Sequence, residues 1–273
     1  MRFVSCHNGQ IFTTTRQWDS PDPTGPTSRG FRTGLAAIDR LLPHGLFARG
    51  AVHEILTEPR HGMPRFFPLL LARAAAAADR MMGQRGNQQQ DLIHLPSPHH
   101  PICPSAHLPV CSPIVWCDPH RTLYPPAVAA AGVPPEKLFL LYPSNAAEQL
   151  WAITECLRCK GIAATIAPVS RLSRIEARRL QLAAEHGGGI GILLRPLDRN
   201  ASIYAAATRW LVCPCQGLRN VQRWKIQLIH AHGGRVGQTV ILEHHREEHL
   251  VRAVDQLADR PAAKTDRPIR ASA

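Results

Sequence analysis

The chain has 273 residues, 44% of them apolar and 5% aromatic, with a formal net charge of +12. That length and apolar content suit one sizeable core with tails, or two small domains, and no apolar run reaches the length of a membrane-spanning helix. The N-terminus is too polar for a secretory signal, so the expectation is a cytoplasmic chain whose eight cysteines stay reduced.

Residues 1–30 are polar and rich in Pro, Thr and Gly, and read as a flexible arm. Residues 34–42 place Leu35, Ile38, Leu41 and Leu42 at helical spacing. An apolar strand over 51–56 runs into Thr57-Glu58-Pro59-Arg60-His61-Gly62-Met63-Pro64, and an Ala-rich helix is predicted over 65–82. This is the frame of a phosphate-binding loop, which runs Gly, four residues, Gly, Lys, Ser/Thr. Thr57 stands at the first Gly position, and Gly62 keeps the second. Met63 replaces the Lys that would meet the phosphates, and Pro64 replaces the Ser/Thr that would hold Mg²⁺. Proline also lacks the backbone N–H that such a loop turns toward an anion. An ordinary strand–turn–helix with a chance glycine is the alternative reading.

Residues 83–113 hold Gln88-Gln89-Gln90, six prolines and several histidines, and read as a long Pro/His-rich insertion. Short apolar strands then alternate with helices. Strands are predicted near 114–118, 138–142, 161–166 and 189–195, and helices near 122–132, 145–159 and 173–186. That alternation implies a mostly parallel sheet with helices on both faces. Strands over 207–213, 223–230 and 239–243 would add an antiparallel edge, followed by a basic–acidic helix over 247–257 and a polar tail from 259. The domain reading is an arm over 1–30, a core over 31–245 and a C-terminal helix and tail over 246–273.

Ser173 and Glu176 form a capping-box pattern. In the helix that follows, Leu172, Ile175, Leu182 and Ala183 share one face, and Arg171, Arg174 and Arg178 share an adjoining one. The arginines form either a solvated face or a docking stripe for DNA or an acidic partner. The basic charge favours polyanions, nucleic acid first, although an Arg-rich genome gives the same composition. Cys156-x-x-Cys159 and the Cys213/Cys215 pair match no strong zinc template, so no metal is expected.

Several stretches in order resemble a RecA-type nucleotide-binding core. They are Thr33-Gly34 to Leu42, Gly45 to Gly50, Val52-His53-Glu54-Ile55, Val115 to Pro125, Ala130 to Val133, Lys137 to Pro143 and Asn145 to Cys159. Within that class, Arg171 to Glu185 and Gly189 to Pro196 are similar to the ImuA family, the SOS-mutagenesis accessory proteins related to SulA; the likeness spans about 31–243. The resemblance implies an α/β, RecA-like P-loop NTPase core with a degenerate nucleotide site. In RecA a Glu two residues after the Asp ending the second strand positions the attacking water; here that Asp is Asp118 and the Glu position is His120. No carboxylate occurs from Gly161 to Ser173, where an Asp supporting Mg²⁺ is expected.

The same resemblance implies a non-enzymatic adaptor without cofactor in damage-induced translesion synthesis, nucleoid-associated on damage. Its partners would be an ImuB-like inactive Y-family polymerase and an error-prone polymerase III α-like subunit, with RecA and DNA as further partners. RecA grips DNA through loops after its fourth and fifth strands; their counterparts here are short and leave Arg195 and Arg199 as candidate phosphate contacts. The alternatives are a SulA-like inhibitor of the division protein FtsZ and an ATPase with an atypical nucleotide site.

Overall fold

The computed structural model describes residues 2–7, 10–15, 30–83, 112–197, 206–218, 221–245 and 250–254. Strands β1 (Arg2–His7) and β2 (Gln10–Thr15) pair antiparallel as a two-stranded ribbon, where the sequence suggests a flexible arm. Residues 84–111 of the predicted insertion over 83–113, Arg199 and the polar tail from 259 lie outside the described residues.

The core begins with β3 (Gly30–Phe31) and a single helical turn, α1 (Ala36–Asp39), shorter than the predicted helix over 34–42. The Asp39 carboxylate accounts for the late start. It accepts hydrogen bonds from Thr33 N (2.9 Å), Thr33 Oγ1 (2.8 Å) and Gly34 N (3.3 Å), drawing the entry segment into a knot. Burial raises the Asp39 pKa above the ordinary carboxylate value, against these hydrogen bonds. Leu35, Ile38, Leu41 and Leu42 are all buried, as their spacing implies.

After β4 (Phe47–Ala48) comes β5 (Ala51–Thr57), with every residue buried, then α2 (Phe66–Gly83). The remaining elements are β6 (Ile114–Cys117), α3 (Pro125–Ala130), β7 (Leu138–Leu141), α4 (Ala146–Arg158), β8 (Ala164–Pro168), α5 (Arg174–Gly187), β9 (Ile190–Pro196), β10 (Thr208–Leu218), β11 (Val221–Ala231), β12 (Thr239–His245) and β13 (Leu250–Val254). β13 corrects the predicted basic–acidic helix. Its apolar residues pair antiparallel with β12, Ala253 opposite Leu242, so a tertiary partner overrides local helix preference.

One nine-stranded sheet runs β13-β12-β11-β10-β5-β9-β8-β6-β7. β5 lies parallel to β9 and β10, and β8, β9, β6 and β7 continue the parallel set. β10 to β13 are mutually antiparallel. β5 is buried along its whole length because both its faces are covered. Ile55, Ile192, Leu194 and Trp210 face the layer of α1 and α2. Val52, Ala167 and Leu193 face the layer of α4 and α5. Phe47 stacks between Phe31 (5.5 Å) and Trp210 (5.6 Å), sealing the α1 side of the core.

A buried polar chain runs through that same region. Trp210 Nε1 donates to Thr208 Oγ1 (2.8 Å), and Thr208 Oγ1 lies 2.8 Å from His53 Nδ1. His53 Nε2 lies 2.9 Å from the Ala48 carbonyl. Only a tautomer protonated at Nε2 satisfies every group, so Thr208 donates to Nδ1. Burial holds the His53 pKa down at about 4, against the Ala48 hydrogen bond.

Candidate nucleotide cradle and basic helix

β5 ends at Thr57 and α2 begins at Phe66, so residues 58–65 stand where a phosphate loop stands, between a central strand and a helix N-terminus. The loop closes on itself. His61 N donates to the Glu58 carbonyl (2.9 Å), and their side chains lie 3.7 Å apart. Thr57 Oγ1 donates to Met63 Sδ (3.6 Å), and Met63 packs against the main core. Pro64 is buried. The position that would extend an ammonium toward a phosphate therefore holds a thioether folded inward. Gly62 is exposed; a Cβ placed on it would meet nothing within 4 Å, and its φ is not positive. Gly62 is therefore required neither for a left-handed backbone nor for close packing against another part of the chain.

Arg65, the residue before α2, turns toward the segment that follows β6. Its Nη1 donates to the Thr122 carbonyl (2.6 Å) and its Nη2 to Thr122 Oγ1 (2.9 Å). Thr122 Oγ1 donates in turn to Asp118 Oδ1 (3.3 Å), and Asp118 Oδ2 accepts from Leu123 N (2.7 Å). Asp118, buried at the end of β6, spends its carboxylate on holding the following turn. His120 in that turn is exposed. The neighbouring Arg121 has a positive φ of 53° and sets its guanidinium 5.0 Å over the Tyr142 ring. β8 ends in Ala167-Pro168 without a carboxylate. The Arg65–Thr122–Asp118 clamp was not foreseen. Arg65 stood in the sequence as the first residue of a predicted helix, and only the fold brings residues 57 positions apart together.

The candidate arginines separate into two classes. Arg171, Arg174 and Arg178 are exposed, on α5 and the turn before it. Arg195 is not, which corrects its assignment as a phosphate contact. It is 5% exposed, and its Nη1 pairs with Glu54 Oε1 at 2.8 Å. Arg209 Nε pairs with the other oxygen, Glu54 Oε2, also at 2.8 Å. The physical reason is register. β9 and β10 flank β5, and Glu54, Arg195 and Arg209 project to one face. A carboxylate within a buried strand demands cations, and Glu54 in its apolar run was the available sign.

α5 is fixed at both ends. Ser173 Oγ accepts from Glu176 N (3.3 Å), and the Glu176 carboxylate accepts from Ser173 N (2.7 Å), lowering the Glu176 pKa. Gly188, with φ of 79°, closes the other end. The buried face is Ala177, Leu180, Ala183 and Ala184. Ile175 and Leu182, which the sequence grouped with Leu172 and Ala183, are 75% and 48% exposed. Helical spacing identified an apolar stripe but could not say which part of it met the sheet.

Among the described residues no helix is long and apolar enough to cross a membrane. No known family model matches the chain. The chain is 30% identical over 172 residues to Protein ImuA of Caulobacter vibrioides strain NA1000, covering 56% of this chain and 70% of that protein. The same values hold for Protein ImuA of strain ATCC 19089. The crystal structure of the RadB recombinase superimposes with a TM-score of 0.55 at 12% identity, covering 82% of this chain and 99% of that one. That likeness speaks to the fold, which is α/β and RecA-like.

Proposed function

The chain belongs to the ImuA family, and from that premise we propose that it is a non-catalytic adaptor in damage-induced translesion DNA synthesis. In this role it links an ImuB-like inactive Y-family polymerase and an error-prone polymerase III α-like subunit to damaged DNA in the nucleoid. RecA is a further partner, through packing between related cores. The mechanism is positioning: a rigid sheet presents surfaces and the protein performs no bond-breaking step.

The observation that carries the reading is the cradle between β5 and α2. Phosphoryl transfer needs a cation on the β/γ-phosphates, a hydroxyl on Mg²⁺ and a residue that orients the nucleophile. Met63, Pro64 and His120 occupy those positions, and Arg65, the adjacent cation, is tied to Thr122. A fold that keeps the strand–loop–helix frame without these groups supports a scaffold in place of an ATPase.

Two measurements test it. Titration calorimetry with Mg²⁺-ATP should give no binding heat up to millimolar nucleotide; micromolar affinity overturns the non-catalytic part. Co-expression with the ImuB-like protein should yield a complex that survives affinity purification; its absence in damaged and undamaged cells overturns the adaptor part.

A further inference from the structure

The outer pole of α5 combines two features that seldom coincide by chance. Ile175 and Leu182 are seven residues apart, so at 100° per residue their directions differ by about 20°, and they lie about 10 Å apart along the helix axis. Both are exposed on a helix whose sheet-facing side is already filled by Ala177, Leu180, Ala183 and Ala184. Cations surround the pair: Arg171, Arg174 and Arg178 on one flank, Arg179 on the other. Arg171 and Arg174 form no ion pair among the described residues, and Arg178 reaches Glu185 only at 4.0 Å. The capping box and Gly188 hold the helix rigid, so the pattern is presented without an ordering cost.

We propose that this face of α5 docks an acidic amphipathic helical segment of a partner protein, with Ile175 and Leu182 as apolar anchors and the arginines as the charged rim. Charge complementarity selects the occupant. Taken whole, no segment outside the described residues has a net charge below −1, the value for 246–249 with one Arg and two Glu; the acidic runs Asp19 to Asp22 and Asp255 to Asp259 reach only −2 within segments of net charge 0 and +1. These segments are too weakly acidic to complement a face of four arginines. A second copy, at +12, repels it. A nucleic-acid backbone would take the arginines, yet it offers no seat for two aliphatic side chains at the centre of the contact. An acidic helix with apolar residues at i, i+3, i+4 and i+7 satisfies both features at once. The inference deepens the adaptor reading and rests on it for the partner's biological identity.

The test uses the full chain and fluorescence anisotropy with three probes. One is an 18-residue Glu-rich peptide with Leu at i, i+3, i+4, i+7 and i+11. The second has the same composition with the apolar spacing scrambled, and the third is a 30-nucleotide single strand. The patterned peptide should bind at least tenfold more tightly than the scrambled one. The double variant Ile175→Ser/Leu182→Ser should lose that advantage and leave the affinity for the single strand unchanged. Both side chains are exposed, so thermal melts of the variant should overlay the parent. Equal binding of the two peptides, an unchanged affinity in the double variant, or a parallel loss of single-strand binding each overturn the proposal. Co-purification with the ImuB-like protein is read separately, so failure there sinks the adaptor reading while the peptide result still judges this face.

Discussion

Glu54 on β5 and Arg195 on β9 meet at 2.8 Å inside the sheet, their side chains 1% and 6% exposed, and Arg209 on β10 closes the other carboxylate oxygen. Three adjacent strands are thus pinned at one point by charges out of water.

Breaking such a pair leaves buried charge without compensation. Glu54→Ala removes the carboxylate from two guanidinium groups, and should cost about 3–5 kcal/mol. Arg171→Ala, on the exposed turn before α5, should change stability by less than about 0.5 kcal/mol. Urea unfolding of the two variants side by side measures the contrast; equal midpoints would show that the triad contributes no stability.

His53 makes stability depend on pH. Its folded pKa of about 4 lies below the unfolded value of about 6.5, so the unfolded chain binds more protons between those limits. The stabilising contribution is complete above pH 6.5 and is lost as pH falls toward 4, by about 3 kcal/mol in all. His53→Gln should flatten that part of the stability profile while lowering its plateau. A profile with undiminished slope in the variant would assign the pH dependence to other groups.

Two glycines should respond oppositely to alanine. A Cβ on Gly187 would fall on the Leu157 carbonyl oxygen where α5 crosses α4, so Gly187→Ala should cost about 1–3 kcal/mol through overpacking. Gly62→Ala meets open space and should stay within about 0.5 kcal/mol. Thermal melts distinguish them, and a large loss at Gly62 would mean the loop adopts another conformation.

The Arg65 clamp predicts a local effect. Arg65→Ala removes both hydrogen bonds to Thr122, which are exposed and together worth about 1 kcal/mol. Amide exchange should speed up across 118–123 with little change in global stability. Unaltered exchange there would leave the turn to Asp118 alone.

Period and punctuation were enough for most of the architecture. The strand–helix alternation from 114 to 196 appears at nearly its expected bounds, because each segment is long and apolar enough for its local pattern to persist in the fold. The capping box at Ser173 and Glu176 formed because its partners are three residues apart. Residues 250–254, inside the predicted helix over 247–257, form a strand because they pair with β12, and nothing local encodes that neighbour.

The site divides along the same line. The losses at Met63, Pro64 and His120 are chemical identities, and the chain order alone places them against a motif of known spacing. What those positions do instead was settled by tertiary structure: Met63 turning inward to Thr57, Arg65 reaching Thr122, Arg195 drawn under the surface by Glu54. The same is true of Ile175 and Leu182. A helical repeat defines a stripe around an axis, whereas exposure depends on which side of that axis the sheet lies, and that is decided only when strands distant in sequence assemble.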